Sequence, residues 1–250
     1  MTVSSNLHDD GVGVVTVDYP PVNALPIAGW FAIANEVTAL GQNADCRVVV
    51  LRSEGRGFNA GVDIKEIQAH EGHGALVDVN RACFASFKAI YECPVPVISA
   101  VHNFCLGGGV GLVGNSDVIV ASDDAYFGVP EVDRGALGAA THLSRLVPQH
   151  MLRAFYFTGQ NIPAARLAEL GSVYAVVPRD TLEVEALSLA RNIAQKDTRV
   201  IRAAKEALNG IDPIDVNSSY RFEQGFTYEL TLIGVADELR DAFVGEKKSH

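Results

Sequence analysis

The stretches RGFNAGVDIKE (residues 56–66) and HNFCLGGGVGLVGNSD (residues 102–117) are the most informative parts of this 250-residue chain. Each is glycine-bearing and can end a strand with backbone N–H groups that are unpaired and directed outward. Two such donors that converge on one oxygen form an oxyanion hole, which stabilises negative charge on a carbonyl oxygen. The pair therefore predicts acyl or enolate chemistry, although either segment alone is also compatible with an ordinary glycine-rich turn.

The composition is that of a globular protein with a large core, because 48% of the residues are hydrophobic and 20% are charged. Twenty basic and thirty acidic side chains give a net charge of −10, which argues against a nucleic-acid partner. The N-terminus lacks the features of a signal peptide, and no apolar run approaches the roughly 18–20 residues of a membrane span. The four cysteines form no CxxC pair. We therefore expect a cytoplasmic protein with free thiols and no membrane partner.

Strand and helix patterns alternate along the first part of the chain. The predicted strands are residues 12–17, 47–51, 95–101, 118–121 and 172–177. The predicted helices of this part are residues 26–41, 64–69, 76–91, 108–115, 140–146, 149–158 and 163–170. Such alternation predicts an α/β fold with mostly parallel strands, and the uneven spacing of the strands disfavours a regular (β/α)₈ barrel.

The organisation changes near residue 180. Beyond it the helical patterns 181–195, 198–208 and 212–239 follow one another without a strand. The sequence therefore predicts two regions, an α/β core at residues 1–180 and a helical region at residues 181–250.

The run from Gly109 to Gly114 is a literal G-x-G-x-x-G that follows a predicted strand. A dinucleotide site needs this motif to open a full helix and an acid about 20 residues further on. Here the next strand begins by Val118, which leaves hardly two helical turns, so a Rossmann fold is disfavoured. Two readings remain open: glycines that open a short helix whose free N–H groups and positive dipole end face an anion, or glycines that allow tight helix packing.

Acids and histidines outside the glycine stretches give weaker signals. Glu131 follows a proline in FGVPE, and the small residues after it leave room for a ligand, although an acid in such a place is usually a solvated surface group. His70 and His73 form an HxxH pair without a third ligand, so no metal site is predicted. A lone histidine is usually a hydrogen-bonded structural group, but His142 lies among the small residues that follow Glu131. No GxSxG motif is present, so a hydrolase of the nucleophile-elbow type is not indicated.

Taken together, these motifs resemble those of the crotonase (enoyl-CoA hydratase/isomerase) superfamily over nearly the whole chain. The matching stretches include PPVNAL (20–25), GRGFNAGVDIKE (55–66), PVPVISAVHNFCLGGGVGL (94–112) and AYFGVPEVDRGALG (125–138). The resemblance implies a spiral of ββα units, a C-terminal helical region used in trimer formation, and an acyl-CoA thioester as substrate. It also implies a homotrimer or a dimer of trimers, and no cofactor apart from the coenzyme A that belongs to the substrate.

The same resemblance implies the residues of the site. The N–H groups of Ala60 and Gly108 would form the oxyanion hole, Glu131 would be the acid/base, and His142 would add a polar group to the pocket. The residues implied for substrate and CoA binding are Val22, Ala24, Phe58, Ala60, Gly61, Val62, Asp63, Ile64, Gly108, Gly111, Lys247 and Lys248.

One departure from the family pattern bears on the reaction. Hydratases of this family carry two glutamates, and the position of the first is Gly111 here, whereas the second is kept as Glu131. Adding water across a double bond needs both carboxylates, so hydratase activity is not expected. The family members with a single acid include double-bond isomerases and hydrolases of C–C bonds, and both remain open. A member that binds acyl-CoA or a protein partner without catalysis is a further alternative.

The chain also resembles one subgroup from steroid-nucleus catabolism, most closely over residues 107–150, 198–209 and 220–230. Those proteins are described as hydrolases that open the last five-membered ring of a steroid-derived bicyclic indane-dione CoA thioester. The resemblance therefore implies a retro-Claisen cleavage with Glu131 as the general base.

Overall fold

The computed structural model describes residues 1–69, 72–239 and 242 of the chain. The strands are β1 (Thr2–Leu7), β2 (Val12–Asp18), β3 (Val48–Ser53), β4 (Val97–Val101), β5 (Phe104–Leu106), β6 (Val118–Ser122), β7 (Tyr126–Gly128), β8 (Ile162–Pro163) and β9 (Ala175–Val177). The helices are α1 (Ile27–Gln42), α2 (Ile64–Gln68), α3 (Gly74–Tyr91), α4 (Gly108–Asn115), α5 (Ala140–Leu143), α6 (Gln149–Thr158), α7 (Ala164–Glu169), α8 (Leu182–Ala194), α9 (Thr198–Ile211) and α10 (Val216–Leu232). Short 3-10 helices span Pro130–Arg134 and Arg179–Thr181.

The main sheet has the strand order β1-β2-β3-β4-β6-β9, and a small second sheet has the order β5-β7-β8. In the main sheet, β1 pairs antiparallel with β2, and every other neighbouring pair is parallel. This confirms the predicted α/β class and its mostly parallel pairing. The strands β1, β5, β7 and β8 are additions that the sequence patterns did not predict.

The central strands of the main sheet, β3 and β4, are buried on both faces. On β3, Val49 and Leu51 belong to one core cluster and Val48 and Val50 to another, as the two-residue period of a strand requires. Helices α1 and α3 pack together beside the first face, and α8 covers the second. Runs of valine and isoleucine with polar residues only at the ends are typical of such a doubly covered parallel sheet.

The helices that follow residue 180 pack on the rest of the chain. The buried side chains of α8 share a cluster with β2, β3, β4 and β6, and α10 contacts α3 and α5. The division at residue 180 therefore marks a change in the type of element, and the domain boundary itself stays a prediction. No helix among the described residues is long and apolar enough to span a membrane.

A buried ion pair joins α9 to the sheet. Lys205, whose side chain is 4% exposed, donates from Nζ to both carboxylate oxygens of Asp117, at 2.7 and 2.8 Å. Asp117 also accepts the Val97 N–H at the start of β4. One carboxylate therefore fixes the position of a C-terminal helix against the central strands.

We predict that Lys205→Met lowers the free energy of unfolding by about 3 kcal/mol, because it leaves the Asp117 carboxylate unpaired in a partly buried place. Urea denaturation followed by circular dichroism measures this change. Lys196→Met, at an exposed position just after α8, is the matched control and should change the stability by no more than about 0.5 kcal/mol. An equal effect of the two substitutions would show that the pair does not anchor the helix.

Candidate active site

The two glycine-bearing segments leave the same edge of the main sheet. β3 and β4 are parallel neighbours, so the loops that follow them begin side by side. Asn59 and Cys105 then form an isolated parallel bridge, in which Leu106 N–H donates to Asn59 O at 2.8 Å. The parallel pairing of the strands is thus continued by the loops, which brings residues 58–62 next to residues 104–108.

Both predicted oxyanion donors lie at this junction. Gly108 is the first residue of α4, where a helix has free N–H groups. A Cβ placed on Gly61 would lie 3.5 Å from Gly108 N, so the two backbones approach closely. Within the described residues, the N–H groups of Ala60 and Gly108 have no hydrogen-bond partner. They are free to bind an oxygen of a ligand.

Two buried asparagines that sequence reasoning missed hold this junction together. Asn59 Oδ1 accepts the Gly61 N–H at 2.8 Å, and Asn59 Nδ2 donates to Asn23 O at 2.6 Å. Asn23 Nδ2 in turn donates to Glu54 O and Gly57 O, both at 2.8 Å. Both asparagines lie inside the quoted motifs, PPVNAL and GFNAG. An asparagine in a loop was therefore the sequence feature that could have indicated them.

A cavity of about 130 Å³ lies at the junction. It is lined by Ala60, Gly61, Val62, Ile64, Ile67, Leu76, Val79, Asn80, Cys83, Phe87, Gly107, Gly108, Pro130, Glu131, Arg134, Ala136, Leu137, Gly138, Ala139, Tyr220, Gln224 and Thr227. The structure therefore brings the predicted donors, the predicted acid and three predicted binding residues (Gly61, Val62 and Ile64) to one wall. Most of the remaining lining is apolar.

Glu131 is placed by backbone that only glycine allows. Gly107 has φ +55°, and a Cβ on it would overlap Oε1 of Glu131. On another side, a Cβ on Gly138 would lie 3.1 Å from Glu131 Cγ. The carboxyl group is therefore pressed against the backbone that leads into Gly108. Its Oε2 atom is shielded from solvent and accepts no hydrogen bond from the described residues.

The environment of Glu131 favours its protonated form. Burial raises the pKa of the carboxyl to about 8, a shift that the positive charge of Arg134 partly opposes and the nearby Glu223 reinforces. A carboxyl with a pKa near neutrality is suited to accept a proton and to return it.

Glu223, on α10, is a second buried acid that sequence reasoning missed. Its carboxylate accepts the N–H groups of Ala140 and Thr141, each at 2.9 Å, and lies 3.5 Å from the Tyr156 hydroxyl. The Tyr156 hydroxyl also accepts the Gly138 N–H at 3.1 Å. Glu223 thereby fixes the loop that walls Glu131. A row of polar residues at helical spacing in YRFEQGFTYEL was the signal for it.

His142 does not reach the cavity, where the resemblance implied that it would add a polar group. Its ring packs on Phe87 and Tyr220, both of which line the cavity, and its Nδ1 accepts from Asn115 Nδ2 at 3.0 Å. Burial lowers its pKa to about 3, assisted by the charge of Arg145, so the ring is neutral. His142 is not among the residues that line the cavity. In this structure it is a hydrogen-bonded group behind the aromatic wall.

Two other predicted binding residues also lie outside the cavity. Phe58 is fully buried in the main core. Gly111 is buried as well, and a Cβ on it would overlap the ring of Phe87. The position that carries a glutamate in hydratases is therefore filled by an aromatic ring instead of open space.

The remaining predicted residues surround the junction or fall outside the described chain. Val22 and Ala24 are partly buried in the loop before Leu25, which exchanges backbone hydrogen bonds with Gly61 and Asp63. The Asp63 side chain caps α2 by accepting the Lys65 N–H. Lys247 and Lys248 lie outside the described residues, as does His70. In the described part of the chain, no group of three or more His, Cys, Asp or Glu side chains is arranged to hold a metal ion.

Comparison with known proteins identifies relatives over the whole chain. Residues 8–231 match the model of the family described as enoyl-CoA hydratase/isomerase. A protein of Rhodococcus jostii (strain RHA1), named (7aS)-7a-methyl-1,5-dioxo-2,3,5,6,7,7a-hexahydro-1H-indene-carboxyl-CoA hydrolase, is 64% identical over all of this chain and 98% of its own length. A protein of the same name from Mycobacterium tuberculosis (strain ATCC 25618 / H37Rv) is 66% identical over the full length of both chains.

Solved structures share the fold. The crystal structure of an enoyl-CoA hydratase/isomerase from Pseudoalteromonas atlantica T6c superposes with a TM-score of 0.87 at 24% identity and covers 98% of both chains. At that identity the likeness shows the fold alone, which is the predicted crotonase fold. From the family match and the two full-length relatives, the chain belongs to the enoyl-CoA hydratase/isomerase family.

Proposed function

We propose that this protein is a hydrolase that opens the five-membered ring of a steroid-derived bicyclic indane-dione CoA thioester, the class of compound named in its two full-length relatives. The observation that carries this proposal is the cavity in which Glu131 faces two unpaired backbone donors, Ala60 N–H and Gly108 N–H. One buried base and one oxyanion hole are the groups that a retro-Claisen cleavage needs.

The compound in the relatives' name suits this chemistry. The name puts a ketone next to the ring-fusion carbon that bears the methyl group and leaves a double bond at the other ring-fusion carbon. When the thioester is conjugated with that double bond, breaking the bond between the ketone carbon and the methyl-bearing carbon moves the electron pair onto the thioester oxygen as a dienolate. The N–H groups of Ala60 and Gly108 would bind that oxygen.

Glu131 would supply the proton transfers. Its carboxylate takes a proton from water as the water oxygen bonds to the ring ketone carbon. The carbonyl re-forms as the C–C bond breaks, and the protonated Glu131 then returns the proton to the dienolate. The sum of these steps is the addition of one water with the loss of one ring.

The direct test is incubation of the protein with the indene-dione carboxyl-CoA in water labelled with ¹⁸O. We expect a product heavier by one labelled water, with the label in a new carboxylate and the ring opening visible by NMR. A product of unchanged mass would instead support the second candidate, a double-bond isomerase that shuttles one proton through Glu131. No conversion of any acyl-CoA, together with tight binding, would support a non-catalytic member.

Our proposal extends to assembly and location. We propose a cytoplasmic homotrimer or dimer of trimers that needs no cofactor other than the CoA of its substrate. Large apolar side chains are exposed on α9 and α10, among them Val200, Leu208, Ile211 and Phe222, and clusters of this kind favour association. Light scattering of the purified protein gives the number of subunits, and a monomer at micromolar concentration would contradict the proposal.

We predict that Glu131→Gln lowers turnover of the indene-dione thioester by about 10²–10⁴-fold, because it keeps the shape of the side chain and removes the base. CoA-thioester affinity, measured by calorimetry, should persist. Asp133→Asn is the matched control, since it removes an exposed carboxylate two residues further along the same turn. Turnover of folded Glu131→Gln within about threefold of the parent would remove Glu131 from the mechanism.

We predict that kcat/KM rises with pH and levels off above about pH 8. Since the pKa of Glu131 is about 8, the carboxylate that acts as base is the minor form at lower pH, and kcat/KM should fall about tenfold for each unit below the midpoint. A pH series with the same thioester measures this. A flat profile from about pH 6 to about pH 9 would contradict the assignment.

We predict negligible hydration of crotonyl-CoA, because Phe87 fills the place of the second hydratase acid beside Gly111. Chromatography of the reaction should show no 3-hydroxybutyryl-CoA above the uncatalysed background. Gly111→Glu should slow the reaction with the indene-dione thioester, through bulk and a second negative charge. Rapid hydration by the parent protein would overturn the argument that a single acid prevents this reaction.

A further inference from the structure

Arg134 is a charged residue of the cavity to which the proposed function gives no role. Among the described residues that line the cavity, Glu131 and Arg134 are the two charged side chains. They stand three residues apart on the 3-10 helix Pro130–Arg134. Residues at this spacing in a 3-10 helix lie on the same side, and both reach the cavity. The site therefore holds one acid and one cation next to each other.

Two amide side chains of the cavity wall are already engaged in hydrogen bonds. Asn80 Nδ2 already donates to Gln224 Oε1 at 2.7 Å, and Gln224 Nε2 donates to Leu137 O at 2.9 Å. The neighbouring lining residues, such as Ile67, are largely apolar. An anion formed in this part of the cavity would lose its hydration, and the carboxylate of the product would also be repelled by Glu131 once that residue has returned its proton to the dienolate.

We propose that Arg134 is the second anion-binding group of the site, which binds the oxygen of the ring ketone as water adds to it and then the carboxylate that ring opening produces. This inference rests on the proposed function. The position of the negative charge during the reaction favours such a group. When the water oxygen bonds to the ketone carbon, the carbonyl electron pair moves to the ketone oxygen, and cleavage of the C–C bond then leaves a carboxyl group at that carbon.

The two charges of this reaction form at different atoms. In the proposed reaction the Ala60 and Gly108 N–H groups bind the thioester oxygen, so they cannot also hold the carboxylate at the ketone carbon. A guanidinium presents parallel N–H donors that match both oxygens of a carboxylate. Arg134 would thereby select substrates that carry an oxygen at this end, which a simple fatty acyl-CoA lacks.

The binding test compares adipyl-CoA with hexanoyl-CoA, which differ in that adipyl-CoA ends in a carboxylate. Calorimetry should show that the parent protein binds adipyl-CoA about tenfold or more tightly than hexanoyl-CoA. Arg134→Met should abolish this preference and leave the affinity for hexanoyl-CoA unchanged, and Arg134→Lys should keep part of it. Arg153→Met, at an exposed position of α6, is the matched control.

The kinetic test uses the indene-dione thioester at a pH where Glu131 is already ionised. A change in the protonation of Glu131 then does not contribute to the change in kcat. There Arg134→Met should lower kcat by about 10²-fold, the usual effect of losing one oxyanion donor, and Arg134→Lys should restore part of it. Melting temperatures show whether each variant is folded.

The outcomes separate the two proposals. Unchanged adipyl-CoA preference and unchanged kcat in folded Arg134→Met would overturn the role of Arg134 and leave the proposed function intact. If Arg134→Met fails to fold, loss of the adipyl-CoA preference in Arg134→Lys supports the role, and full preference there with no change in kcat contradicts specific carboxylate recognition. If the parent protein does not hydrolyse the thioester but loses its adipyl-CoA preference in Arg134→Met, the proposed reaction fails while the anion site stands.

Discussion

The close approach of three stretches of backbone organises this site. Gly61 and Gly108 come together where the loops after β3 and β4 run side by side. The Glu131 carboxyl occupies the space that a side chain at position 107 would need. Any Cβ at Gly107 would displace that carboxyl, and its positive φ adds a second reason for glycine. Main chain at Gly107 therefore limits where the Glu131 carboxyl can lie relative to the predicted oxyanion donors.

The close approach of these backbone segments explains why several buried polar side chains surround the cavity. Asn23 and Asn59 bond the backbone of one loop, and Glu223 bonds the loop that faces Glu131. Burial raises the pKa of Glu223, and hydrogen bonds from several donors partly oppose that rise. Glu131 is different because its Oε2 atom has no donor among the described residues. A buried carboxyl oxygen that lacks a donor, in a group whose pKa is raised, marks a candidate for proton transfer.

The sequence was informative where the physical signal is local. Uninterrupted runs of β-branched residues and glycine-rich turns predict β3, β4 and the loops after them, and the family resemblance adds Ala60, Gly108 and Glu131. Short strands such as β5 and β7 escape prediction because two or three residues become a strand only through pairing with a distant segment. Likewise, nothing local shows that Phe87 fills the space beside Gly111 or that it covers His142. The lone histidine turned out to be buried and neutral, the usual state of such a residue, because aromatic side chains from α3 and α10 enclose it.

In the proposed complex, the N–H groups of Ala60 and Gly108 hold the thioester oxygen while Glu131 faces the ring ketone. The most direct measurement is a crystal structure of Glu131→Gln with the indene-dione carboxyl-CoA bound. The account predicts that the thioester oxygen lies about 2.7–3.1 Å from both backbone nitrogens and that the ring ketone carbon lies one water away from residue 131. A thioester oxygen bound elsewhere, or a ring that points away from residue 131, would contradict it.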